Sequence, residues 1–241
     1  AQHCAPARVF SIVLSDIVGD PLDMIASGPA YPDASTAEQA LAIVKKYALH
    51  LSDEALSCLE APTPNHLSNV ETHITGSVRA LCAAAQDAAQ KLGFQCRMLT
   101  DCLDCEAREA GRFLASIARS HQQTERPLAF FAGGETVVHL TGQGLGGRNQ
   151  ELALAAAPGL RGTQNTAVCS FGSDGTDGPT DAAGGFVDQS SDAALRAAGL
   201  DVPQVLAEND AYHALQKIGG LLMTGPTGTN VNDLAMVLIW R

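Results

Sequence analysis

Residues 139–157 read HLTGQGLGGRNQELALAAA, and Gly142, Gly144 and Gly147 satisfy G-x-G-x-x-G ahead of a helix-like run. Two chemistries use such a turn. A dinucleotide fold seats a pyrophosphate on the helix N-terminus and needs an acidic residue about 20 positions further on to hold the ribose. The next strand-like run, TAVCSFG, offers no acid before Asp174, and the helix opens on Arg148-Asn149-Gln150-Glu151 rather than on small apolar residues. That context disfavours a dinucleotide. Anion binding of another kind needs only inward-facing backbone N–H groups, a helix N-terminus and a planar cation such as Arg148. Asn149 would then cap the helix or touch the ligand, and a plain turn with a capped helix remains the bland alternative.

Three further loops carry polar residues after strand-like runs. GSDGTDGPTDAAGG holds Asp174, Asp177 and Asp181, a composition that suits Mg²⁺ or Ca²⁺ and equally suits Asx turns. SDIVGDP and ASGP place Asp16, Asp20, Ser27 and Gly28 in another loop, and TGPTGTNVND offers Thr227, Thr229, Asn230 and Asp233. Cys102 and Cys105 form C-x-x-C, but Asp101, Asp104 and Glu106 around them raise thiol pKa values, and no second pair completes a zinc site. There is no Walker A sequence, no G-x-S-x-G elbow and no H-E-x-x-H.

Positioning these loops requires alternating strands and helices, and the pattern supplies them. Strands are expected at 8–15, at THITGS, at FQCRMLT, at LAFFAGGE with TVVHLT as its hairpin partner, at TAVCSFG and at the C-terminal LAMVLIW. Helices are expected from Ser35 or Thr36, after Ser52, over 78–92, over 105–121, after Gly147, and in three short pieces across 191–218. The order βαβα predicts a layered α/β/α domain with a mixed, mostly parallel sheet and ligands at the carboxyl ends of its strands. APTPNHLSN, 61–69, reads as a linker, so 1–69 is expected to belong to a separate α/β lobe and 70–241 to a second.

The 241 residues carry a formal charge of −11, which argues against nucleic acid and anionic membrane as partners. The apolar runs are strand-sized and too short to cross a bilayer. Seven cysteines without framework spacing predict free thiols and a cytoplasmic setting.

Taken together, LSDIVGDPLDMIASGPAYPD, FFAGGETVVHLTGQGLGGRNQELALA, GSDGTDGPTDAAGGFVD and TGPTGTNVNDLAMVLIW resemble the glycerate 2-kinase family, which carries the MOFRL domain and includes members labelled hydroxypyruvate reductase. The resemblance implies ATP-dependent phosphorylation of D-glycerate at its 2-hydroxyl, with Mg²⁺, and places the MOFRL domain at about 128–238. It also implies that the chain, which begins at Ala1, is the C-terminal portion of a longer protein and needs the missing N-terminal lobe for activity.

Carried over by position, Arg148, Glu135 and Asp177 would be catalytic. Gly133, Gly134, Gly146, Gly147, Asn149, Gly175, Thr227, Thr229 and Asn230 would shape the substrate and nucleotide pocket, bordered by Asp16, Asp20, Ser27 and Gly28. Asp174 and Asp177 would hold the metal. Gln143 and Leu145 stand where the family loop is expected to be basic, leaving Arg148 as its sole charge. A non-catalytic ligand-binding module and an NAD(P)-dependent hydroxypyruvate reductase remain the alternatives, and assembly as a homodimer is left open.

Overall fold

The computed structural model describes residues 1–61 and 63–241; Pro62, inside the expected linker, lies outside the described residues. The chain divides into two compact units, Ala1–Val13 with Asp20–Thr75, and Leu14–Gly19 with Gly76–Arg241.

The first unit is built on a two-stranded sheet, β1 (Val9–Leu14) and β2 (Val70–Gly76). Tyr31 bridges the two strands, its hydroxyl donating to Ser11 Oγ at 2.8 Å and accepting from Thr72 Oγ1 at 3.0 Å. Helix α1 (Ala37–Lys46) starts where Thr36 and Gln39 form a reciprocal capping box, and α2 (Asp53–Glu60) where Ser52 Oγ accepts from Ala55 N. These caps satisfy N–H groups that the first helical turn leaves unpaired.

The second unit holds α3 (Val78–Lys91), β3 (Gln95–Leu103), α4 (Ala107–Ser120), β4 (Leu128–Gly134), α5 (Arg148–Ala156), β5 (Thr166–Gly172) and β6 (Gly184–Asp188). The short helices α6 (Ser191–Ala197), α7 (Val202–Ala207) and α8 (Ala211–Lys217) follow, then β7 (Leu221–Leu222) and β8 (Asp233–Ile239). The strands lie in the order β3-β4-β8-β5-β6-β7. The layered α/β arrangement with a mixed sheet is as expected, and parallel pairing is confined to β3–β4; the other neighbours run antiparallel. A helix joins β3 to β4, which favours parallel pairing there, whereas β8 returns between β4 and β5 in the opposite direction.

Every residue of β4 is buried, because alternate side chains serve opposite faces. Leu128, Phe130 and Ala132 pack with α4, α5 and the short helices, while Ala129 and Phe131 pack against Val78, Cys82 and Ala89 of α3. Helices therefore cover both sides of the sheet. Among the described residues no helix is long and apolar enough to cross a membrane.

The expected hairpin of LAFFAGGE with TVVHLT does not form. β8 takes the antiparallel edge of β4 along its whole length, from Leu128↔Ile239 to Gly134↔Asp233. Residues 135–141 instead run as a loop with one bridge, Glu106↔Val137, and their apolar pattern reflects Val138 packing on the core while Val137 and Leu140 stay exposed.

Helices α4 and α5 approach closely at Gly111, where an added Cβ would lie 2.1 Å from the Leu152 carbonyl oxygen. Gly111→Ala would improve helix propensity by about 1 kcal/mol at an isolated site. Here the helices must separate, so a net loss of about 2 kcal/mol is expected. Urea denaturation would show this as a lower midpoint at unchanged slope; a midpoint at or above the parent's would mean the contact is slack.

Candidate functional site

The register places the ends of β3, β4 and β5 and the starts of β6 and β8 along one edge of the sheet: Leu103 faces Gly134, Gly134 and Gly172 flank Asp233, and Phe171 faces Gly184. A cleft of about 840 Å³ opens at this edge within the second unit. Ile17, Val18, Val137, Val138, Leu140 and Pro179 give it largely apolar walls, and Glu135, Arg148, Glu151 and Asp104 bring charge to it.

Arg148, the first residue of α5, is held by two carboxylates. Its Nε and Nη2 donate to Asp233 Oδ2 and Oδ1 at 2.5 and 3.1 Å, a side-on bidentate pair, and its Nη1 lies 2.9 Å from Glu135 Oε1. Partial burial opposes the guanidinium charge, but the Asp233 hydrogen bonds and the charges of Asp233, Glu135 and Asp177 outweigh it and raise the Arg148 pKa above its ordinary value. Glu135 is contacted in turn by Asn232, whose Nδ2 donates to Glu135 Oε2 at 3.2 Å and to the Asp16 carbonyl at 2.8 Å.

The helix N-terminus that the sequence offers to an anion is already filled. Asp177 is 3% exposed, and its carboxylate accepts from Asn149 N at 3.1 Å, Asn149 Nδ2 at 3.2 Å and Gln150 N at 2.8 Å. It is an internal stand-in for the anion that a free helix N-terminus would bind. Burial pushes its pKa up to about 6, against the helix N–H groups that favour the charged form. Asp177 thus caps the N-terminus of α5. Asn149 is likewise buried, with Oδ1 accepting from Ser170 Oγ, so it faces the sheet and not a ligand.

The glycines of the motif meet protein, not phosphate. A Cβ on Gly142 would sit 2.3 Å from Glu208 Cα, and one on Gly147 would sit 2.3 Å from Asp177 Cγ. The loop is fastened along the same line. Asn209 Oδ1 accepts from the Thr141 and Gly142 amides at 2.7 and 2.9 Å, Gly144 N donates to the Glu208 carbonyl, and Leu145 N donates to Asp210 Oδ1. Asn209 also donates to Glu151 Oε2, whose other oxygen accepts from Arg108 Nε at 2.9 Å. With its glycines packed and its helix capped, this turn does not have the form of a dinucleotide fingerprint.

Of the expected site residues, Glu135, Gly146, Gly147 and Arg148 line the cleft. Gly133 and Gly134 do not; a Cβ on Gly133 would meet Cys82 of α3, and one on Gly134 would meet the Leu103 backbone. Gly175 packs against Gly225, while Thr227 ties its loop down by donating to the Ser173 carbonyl at 2.6 Å and, through its amide, to that of Asp174. Thr229 and Asn230 are exposed in that same loop. Asp16 contributes its carbonyl rather than its carboxylate, and its neighbours Ile17 and Val18 line the cleft. Asp20, Ser27 and Gly28 belong to the first unit.

Asp174 accepts from the Thr176 amide in an Asx turn, and among the described residues no three His, Cys, Asp or Glu side chains converge as a metal site. Sequence reasoning missed the roles of Asp233, Asn209 and Glu151; for Asn209 a weak signal existed, an Asn in the turn END ahead of a helix, and it adopts φ +53°. The thiol of Cys102 is raised by its hydrogen bond to Asp101, by burial and by the nearby acids, as its surroundings predict.

Comparison with known proteins follows the same lines. Residues 128–233 match the MOFRL family, and residues 1–60 match a domain of unknown function (DUF4147). A D-glycerate 2-kinase of Thermotoga maritima is 54% identical across 99% of this chain, which spans 58% of that protein. A glycerate kinase of Macaca fascicularis is 34% identical across 99% of this chain and is 74% covered by it. The chain belongs to the glycerate kinase family. Some relatives in this family carry another name: a putative hydroxypyruvate reductase of Agrobacterium vitis is 36% identical over 99% of the chain and 57% of its own length. The crystal structure of a Thermotoga maritima glycerate kinase superposes with a TM-score of 0.92 over 99% of this chain and 58% of that one. Against the first relatives, this glycerate kinase family chain spans a little under three fifths of their length.

The Asp177 cap gives a pH signature. The carboxyl titrates near 3.8 unfolded and near 6 folded, so between these values the folded state holds the extra proton. Its contribution is greatest below about pH 4 and is lost as pH rises through 6. Asp177→Asn is neutral throughout. The wild-type stability, measured against this variant by urea titration, is expected to fall by about 2 kcal/mol between pH 4 and 7. A difference that stays flat with pH would show that burial does not shift this carboxyl.

Proposed function

We propose that the chain is the acid-binding portion of an ATP-dependent D-glycerate 2-kinase, which transfers the γ-phosphoryl group of ATP to the 2-hydroxyl of D-glycerate and releases ADP. The observation that carries the reading is the free edge of Arg148 at the cleft. Asp233 takes the Nε–H and one N–H of Nη2, and Glu135 pairs with Nη1 by charge alone, so among the described residues the outer edge of the two terminal nitrogens has no hydrogen-bonded partner. That edge matches the planar carboxylate of glycerate or the oxygens of a phosphoryl group.

Phosphoryl transfer depends on positioning and charge neutralisation more than on a protein nucleophile. In this reading Arg148 orients the acid, and the apolar walls exclude water from the reacting oxygen. On the same reading Asp174, whose carboxylate is half-exposed and accepts one backbone hydrogen bond, is the residue that would hold Mg²⁺, which would neutralise phosphate charge. The relatives carry a large part of their length beyond what this chain matches. We assign nucleotide binding and turnover to the protein with that further lobe and expect the 241 residues alone to bind glycerate without turning it over. Unpaired cysteines throughout support a reducing, cytoplasmic setting.

Calorimetric titration with D-glycerate and, separately, with Mg·ATP, beside a coupled ADP-release assay, tests this reading. The expected result is glycerate binding that weakens at least tenfold, as an order-of-magnitude figure, in Arg148→Lys, where the planar fork is lost and the charge kept. Glycerate heats identical in the variant, or none in either protein, would remove Arg148 from acid binding.

A further inference from the structure

We infer that Glu135 is a displaceable surrogate for the ligand's acid group, seated on the edge of Arg148 that an incoming anion must take. This rests on the reading of Arg148 as the anion receiver, and it adds a gating role for Glu135.

The two carboxylates on Arg148 differ in kind. Asp233 has a 9% exposed side chain and binds the side-on edge, Nε with Nη2, through both oxygens. It opens β8 in the middle of the sheet, paired on both sides with β4 and β5. Such a partner is fixed. Glu135 has a 44% exposed side chain, lies on the loop that follows β4, and reaches Nη1 through one oxygen. Its other anchor is a single amide hydrogen bond from Asn232. With the side-on edge taken, the outer edge of Nη1 and Nη2 is the one left for a planar anion, and Glu135 Oε1 sits 2.9 Å from one of its two nitrogens.

An anion that arrives there meets Arg148 and two carboxylates together. The local charge is negative, so binding must either expel Glu135 from Nη1 or suffer repulsion from it at close range. Because Glu135 is partly in solvent, its release costs little: its carboxylate gains water in exchange for one ion pair that is already weakened by exposure. The same contact keeps the guanidinium satisfied and aligned while no ligand is bound. Glu135 thus favours anions that grip both terminal nitrogens over those offering a single oxygen, because a weak ligand does not displace it.

The test is the affinity of the 241-residue chain and its Glu135→Gln variant for D-glycerate and for inorganic phosphate, by calorimetry at low salt, with circular dichroism confirming the fold. Loss of the Glu135 charge is expected to tighten both anions by about tenfold. A gain in affinity is a result that mere structural damage does not produce. Weaker or unchanged binding of both anions in the variant overturns the proposal, as does failure of both anions to bind either protein. If phosphate tightens while glycerate binds neither protein, the surrogate role stands and the glycerate reading fails.

Discussion

The pair between Arg148 and Asp233 joins the first residue of α5 to the first residue of β8, and the arrangement of the sheet edge depends on it. β8 runs between β4 and β5, the two strands that α5 connects. The helix that crosses over the sheet is therefore tied back to the strand it crosses. Such a pair is asymmetric in its consequences: with both partners present its net gain is modest, whereas loss of either leaves the other half-buried and unpaired. Glu135, Asn232 and the Asp16 carbonyl extend the same chain of contacts to the loop after β4 and to the segment that supplies Ile17 and Val18 to the cleft.

Around this anchor the polar groups of the loop are satisfied by protein before any ligand arrives. Asp177 fills the N-terminus of α5, Asn209 and Asp210 hold the amides at 141, 142 and 145, and Glu151 is shared between Arg108 and Asn209. A glycine-rich turn of this kind is rigid because its glycines permit contact with neighbouring backbone. It holds one side chain, Arg148, at a fixed place. Preorganisation of that sort is what an acid-binding site requires, since the ligand need not order the protein on arrival.

Much of the architecture was legible because its signals are local. The hydroxyl caps at Thr36, Ser52 and Ser77, each followed by a helix, and the unbroken apolar run of β4 lie within a few residues of the elements they define. The strand pattern in TVVHLT misled, since one inward residue, Val138, imitates alternation. β6 and β7 were not legible: GGFVD and LL are short, and their pairing follows from neighbours far along the chain. The site divides in the same way. Arg148 stood out as the lone charge of its loop, but its partner is 85 positions away and the helix cap 27 to 28 positions away, distances at which no spacing rule operates. The cap at Asp177 is not legible, because an Asp in an Asp-Gly loop has the same appearance whether it faces solvent or a helix N-terminus.

A crystal structure of this chain grown with D-glycerate tests the account most directly. The account predicts the glycerate carboxylate on the outer edge of Arg148, with the Asp233 pair and the Asp177 cap unmoved. Glycerate bound away from Arg148, or bound there only after Asp233 has been driven off, would contradict it.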